Sequence, residues 1–122
     1  MASDPHLTTP LADEHCARLR KRVPGIAAVE RAELQREVAE WGCVVHDGVE
    51  RLERRFVFAD FSTALDFANQ IGALAEAEDH HPEIIIAWGR ATVGWWTHVA
   101  QGLHRNDFVM AAQTDRVYAT MS

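Results

Sequence analysis

Cysteine is scarce in this chain: Cys16 and Cys43 are the two present in 122 residues. They form no CxxC pattern, which excludes a disulfide framework or a thiol-rich zinc module. A zinc site built from His15, Cys16 and Cys43 would lack both a fourth ligand and the usual spacing. The N-terminus has no apolar export core, so reduced thiols and a cytoplasmic location are expected. Positive charge is also short, with 12 Lys and Arg against 18 Asp and Glu and a net charge of −6. That balance argues against a nucleic-acid partner, which would need clustered cations. The one basic run, Arg18-Leu19-Arg20-Lys21-Arg22, lies near Asp13 and Glu14 and reads as a solvated helix face. No apolar run approaches the ~18 residues of a membrane span, and no internal repeat is evident.

What is present suits one soluble domain. Apolar residues make up 48% and charged residues 25%, and the length can bury a core without disulfides or metals. Residues 1–10, with Pro5 and Pro10, read as a flexible tail. Residues 11–22 have helical character, which Pro24-Gly25 stops. A stronger helix is expected over 29–41, where Leu34, Val38 and Trp41 share a stripe and Gly42 ends it. Residues 43–46 and 52–58 read as strands joined through Asp47-Gly48, with Arg54 interrupting an apolar row of Leu52, Phe56 and Phe58. The clearest helix covers 61–78, with Phe61, Leu65, Ala68, Ile71 and Ala75 in one stripe and Asp60 or Ser62 as its cap. Pro82 requires it to end by His81. Residues 83–88 and 91–99 form a second strand pair, linked near Gly89-Arg90. A last helix runs from about Asn106, a candidate cap, to Thr120, with Asp107 in its first turn. The pattern predicts an α+β fold: a four-stranded antiparallel sheet with helices packed on one face. Residues 1–28 form an N-terminal extension, partly flexible, and 29–122 a single domain.

The chemistry concentrates in Asp79-His80-His81-Pro82, Thr97-His98 and Asp107. Imidazole alone has an unperturbed pKa near neutrality and can give or take a proton there. Adjacent histidines on an extended chain diverge, which disfavours one metal taking both. Proton transfer, polar ligand recognition and a solvent-exposed loop pair stay open on spacing alone. On strand 91–99, His98 shares a face with Trp96, while Val93, Trp95, Thr97 and Val99 face the helices. Asp107 reads equally as a helix first-turn acid, and Glu76 and Asp79, three apart, as surface acids on one side of their helix. His6, His15, His46 and His104 read as surface residues. Trp41, Trp88, Trp95 and Trp96 read as core or interface residues, with Trp96 alone placed to touch a flat ring.

Glu76-x-x-Asp79-His80-His81-Pro82, Trp88, Thr97-His98, Gly102-Leu103 and Asn106-Asp107 together resemble the signature of pterin-4a-carbinolamine dehydratases, over about residues 33–117. The resemblance implies the same α+β fold. It also implies dehydration of a 4a-hydroxytetrahydropterin to quinonoid dihydropterin, which serves tetrahydropterin recycling. His80, His81 and His98 would then be catalytic, and Glu76, Asp79, Trp96, Thr97 and Asp107 would contact the pterin. His80 and His98 would exchange protons while His81 orients the ring. Loss of hydroxide from a carbinolamine needs an acid, a base and a flat polar pocket, so neither metal nor redox cofactor is expected. A homodimer or homotetramer and a link to an aromatic amino-acid hydroxylase follow from the same resemblance. The alternative it offers is a non-catalytic binding module, a transcription dimerisation cofactor or an enzyme assembly factor. The chain departs from some family members at Trp96, where a small polar residue precedes the Thr-His, and at Val99, where an acid follows it.

Overall fold

A computed structural model describes residues 10–19 and 21–121. The tail expected over 1–10 falls, except for Pro10, outside them. Helices α1 (Ala28–Glu37), α2 (Phe61–Glu78) and α3 (Arg105–Met121) alternate with strands β1 (Gly42–His46), β2 (Val49–Val57), β3 (Glu83–Ala87) and β4 (Arg90–Trp95). The sheet is antiparallel throughout, in the order β1-β2-β4-β3. The expected α+β architecture is therefore the observed one.

Alternation decides which face is covered. Leu52, Arg54 and Phe56 of β2 stand opposite Trp95, Val93 and Ala91 of β4. The apolar members of these rows are fully buried in a cluster with Phe67 and Ile71 of α2 and Phe108 and Met110 of α3. Each large apolar side chain so buried contributes roughly 1.5–3 kcal/mol. Arg54 fits this face because its guanidinium lies over Phe56 at 4.5 Å and pairs with Asp115 at 2.6 Å. The charge is kept while the stem covers apolar surface. Asp47 and Gly48 both take positive φ, 52° and 76°, which makes the tight β1–β2 turn that this dipeptide favours.

Several boundaries differ from expectation. The described residues of 11–22 form no α-helix: a 3-10 turn at Leu11–Asp13 is followed by chain without regular secondary structure. The basic run is therefore no helix face, and Arg20 lies outside the described residues. Helix α1 stops at Glu37, four residues early, yet Val38 and Trp41 are still buried, because a turn carries them to the core. Asp60 caps α2, accepting from the Thr63 N–H at 2.8 Å. The buried stripe of α2 is Ala64, Phe67, Ala68, Ile71 and Ala75. Phe61 and Leu65 are exposed, since the stripe is rotated by one position toward Phe67. Trp41 and Trp95 are core residues, whereas Trp88 is 72% exposed in the β3–β4 turn.

Candidate active site

The end of α2 places the histidine pair. Asp79 adopts a left-handed conformation, φ 53°, and the N–H groups of Asp79 and His80 both return to the Ala75 carbonyl. This closes the helix and releases His80, His81 and Pro82 as a short extended link into β3.

The two imidazoles then meet opposite environments. His80 has a side chain 12% exposed, and its Nε2–H donates to Asp107 Oδ1 at 2.7 Å. Its ring lies nearly parallel to the Trp95 indole, with centroids 5.7 Å apart and planes at 10°. The His81 side chain is 56% exposed, and its Nε2–H donates to Glu76 Oε2 at 2.5 Å, five residues back on α2.

Asp107 is completely buried in the first turn of α3. Its Oδ2 accepts from the Thr97 hydroxyl at 2.8 Å and from the His104 N–H at 2.9 Å. The second contact is a capping-box reach from the third helical position to the residue before the helix. Three donors and the helix N-terminus thus make the buried carboxylate tenable. The His104 ring in turn accepts from the Asn106 N–H at 3.1 Å, so His104 rather than Asn106 caps α3. His104 is half-buried, and its pKa is lowered, first by burial and then by His80, against the opposing pull of Asp107 and Glu30.

Thr97 closes a short loop by donating its N–H to the Gly102 carbonyl at 2.8 Å. That pairing takes the chain out of the sheet, so β4 ends at Trp95 and not at Val99. The alternation survives the exit: Thr97 is buried, and His98, opening a 3-10 turn, is exposed. Trp96 is half-buried, with the Arg51 guanidinium 4.1 Å from its ring centre.

A cavity of about 390 Å³ unites these pieces. Residues 17–19, 78–81 and 96–99 line it, with Asn106. His80, His81, His98, Asp79, Trp96 and Thr97 therefore share one wall system. Glu76 and Asp107 stand outside the lining, and each holds a histidine that is in it. Among the described residues, no group of three or more His, Cys, Asp or Glu side chains is placed to hold a metal ion.

The strap, the role of Glu78 and the cap role of His104 have no counterpart in the sequence reading. Residues 14–19 form a strap across the ends of α2 and α3. Ala17 donates its N–H to Asn106 Oδ1 and accepts at its carbonyl from Asn106 Nδ2, both at 2.9 Å. Glu78 accepts from His15 Nδ1 at 2.7 Å and from the Cys16 N–H at 2.6 Å. Burial pulls the Glu78 carboxyl up, but these donors hold it below the usual range. Burial, then Glu78 and Asp107, push the Cys16 thiol up to about 12, which removes it as a nucleophile at neutral pH. Histidine is not a usual cap residue, so His104 carried no capping signal, and the strap, aperiodic and polar, carried none either. His15 is exposed as expected, though paired with Glu78, and His6 lies outside the described residues.

The sequence profile of the family described as pterin 4 alpha carbinolamine dehydratase matches residues 26–117. The chain belongs to this family. A Marinobacter nauticus protein provisionally named a pterin-4-alpha-carbinolamine dehydratase is 45% identical over 108 residues, 88% of this chain and 97% of that protein. The crystal structure of a transcriptional coactivator/pterin dehydratase from Brucella melitensis superposes with a TM-score of 0.69 at 36% identity. It covers 76% of this chain and 97% of its own. The family match contains all three cavity histidines and Asp107, while the strap precedes it. Among the described residues, no helix is long and apolar enough to cross a membrane.

Proposed function

We propose that this protein is a hydro-lyase that dehydrates a 4a-hydroxytetrahydropterin to quinonoid dihydropterin by histidine acid–base catalysis. The observation that carries this reading is the convergence of His80, His81 and His98 on one cavity, two of them paired through Nε2 with carboxylates. A carboxylate accepting from Nε2–H leaves the lone pair on Nδ1. His80 is therefore built to accept the substrate's N–H proton from a fixed position. His81, with the same tautomer on the rim, accepts a hydrogen bond from the ring and orients it. His98 has no ring partner among the described residues and supplies the proton that leaves with the hydroxyl. Trp96 and Thr97 would border the bound ring, with Asp79 at its edge. Each positioned acid or base is worth roughly 10²–10⁴-fold. The elimination breaks the C4a–O bond as the ring nitrogen's electron pair forms C=N. One proton leaves with the hydroxyl as water and one is taken from the nitrogen, with no net change of oxidation state, so the reaction calls on no metal or redox cofactor.

The test is turnover of an enzymatically generated carbinolamine. The wild-type chain should accelerate its decay, and the H80A/H81A/H98A variant should not, while keeping its circular dichroism at the assay temperature. The variant's unfolding midpoint should fall, because buried Asp107 loses the His80 donor. Full activity in that variant would overturn the assignment.

The Brucella structure's title, which pairs coactivator with dehydratase, favours keeping a second reading: a binding module without turnover. A folded wild-type chain that binds reduced pterin but leaves carbinolamine decay unchanged would select it. A cytoplasmic role in tetrahydropterin recycling, beside an aromatic amino-acid hydroxylase, belongs to the first reading. So does self-association as a homodimer or homotetramer. Exposed Val45 and Ile85 on the two edge strands and Phe61 and Leu65 on α2 leave apolar surface for it. Sedimentation equilibrium measures that state directly.

A further inference from the structure

The strap puts a cation into the cavity wall that the elimination does not use. Arg18 follows Ala17, whose N–H and carbonyl are both gripped by the side chain of Asn106. Asn106 is itself buried, so the guanidinium swings from a fixed root. The strap is held further by Gln113 on the Glu14 carbonyl and by Arg105 on the Glu14 carboxylate. These contacts make it a built wall.

Arg18 is the one Arg or Lys among the residues that line the cavity. Arg105 is committed to Glu14 and Glu30, and Arg116 to Asp13. Arg18 has no acidic partner among the described residues, although Glu78 lies in the same wall. Glu78 is instead engaged by His15 and by the Cys16 N–H, one on each oxygen. A neutral pterin ring offers a guanidinium no counter-charge either. The planar fork of arginine matches phosphate and carboxylate oxygens in pairs. A cavity of about 390 Å³ also lies in the range that takes a bicyclic ring with a substituent.

We propose that Arg18 is a specificity residue that reads an anionic group, phosphate or carboxylate, on the side chain of the pterin. This rests on the pterin reading of the cavity above. Its test is equilibrium calorimetry on the full chain with three stable oxidised pterins: 6-hydroxymethylpterin, its phosphate ester and the 6-carboxylate. Wild type should bind at least one anionic pterin about tenfold more tightly than the neutral one. Arg18→Gln should bring that ratio close to one, and Arg18→Lys should keep part of it. The ligand that shows the gain tells phosphate from carboxylate. Equal affinities in wild type, or a ratio that survives Arg18→Gln, would overturn the proposal. Inorganic phosphate binding as tightly as the phosphate ester would overturn it too, as a mere anion site. Turnover of a carbinolamine with a neutral side chain by wild type tests the dehydratase reading separately. Failure there with the binding ratio intact removes the catalysis and leaves Arg18 assigned, whereas failure of all three pterins to bind removes both.

Discussion

His80 and His81 are chain neighbours with the same kind of partner, yet they are held by different means. The His80 pair is tertiary: its carboxylate comes from α3, is wholly buried, and is shared with Thr97 and the His104 amide. The His81 pair is local: Glu76 lies on the same helix end, 78% exposed. In water such a pair is worth little, about 0–1 kcal/mol. A partner lost from a buried network leaves its other members unsatisfied. One ring is thus immobilised by the fold and the other only biased by its helix.

Breaking the buried side should cost most. Asp107→Asn should lower kcat/KM about 10²–10³-fold, because the amide can donate to Nε2 and impose the wrong tautomer. The urea midpoint should fall as well, because the buried network loses its charge. Glu76→Gln puts the matching change on the exposed pair, and retained activity there is the control that gives the first result its meaning.

Thr97→Val removes one donor from Asp107 and nothing from His81. Stability should drop by about 1–3 kcal/mol, and kcat should fall more than KM changes, because the ring is loosened rather than removed. Urea unfolding and steady-state kinetics measure the two effects.

His104 sharpens the comparison through pH. Its folded pKa lies below the ordinary 6.5. Between that value and 6.5 the unfolded chain binds more protons, so this group's contribution makes stability rise with pH and level off above 6.5. His104→Asn keeps a cap acceptor without the titration. It should flatten the rise in urea midpoints as pH approaches the ordinary 6.5 from below. Glu76→Gln should show the smallest effect, within about threefold in kcat/KM, since the pair it breaks is solvated. A loss as large as that of Asp107→Asn would erase the distinction between the two rings.

Much of this arrangement was legible in the letters. Alternation over Leu52 to Phe58 and the Asp47-Gly48 turn specified the first hairpin. The 3.6-residue rhythm of 61–78 specified α2, though the pattern admitted Phe61 and Leu65 where packing chose Ala64 and Phe67. The reach of β4 was overestimated because the alternation continues through Thr97 after the hydrogen bonding has left the sheet for Gly102. The histidines, Thr97 and Asp107 could be nominated together, but not the network that ties them, which depends on contacts across 27 residues. The strap was invisible for a related reason. Its structure comes from side chains of α2 and α3 that satisfy its backbone, and no local preference encodes that.

That clamp has a practical consequence. The Ala17 amide proton sits in neither helix nor sheet, yet it is closed inside a side-chain carboxamide. It can exchange with deuterium only when the strap lifts, so its protection factor is a clock for access to the cavity. The reading needs neither substrate nor turnover, and a single peptide in a mass spectrum supplies it.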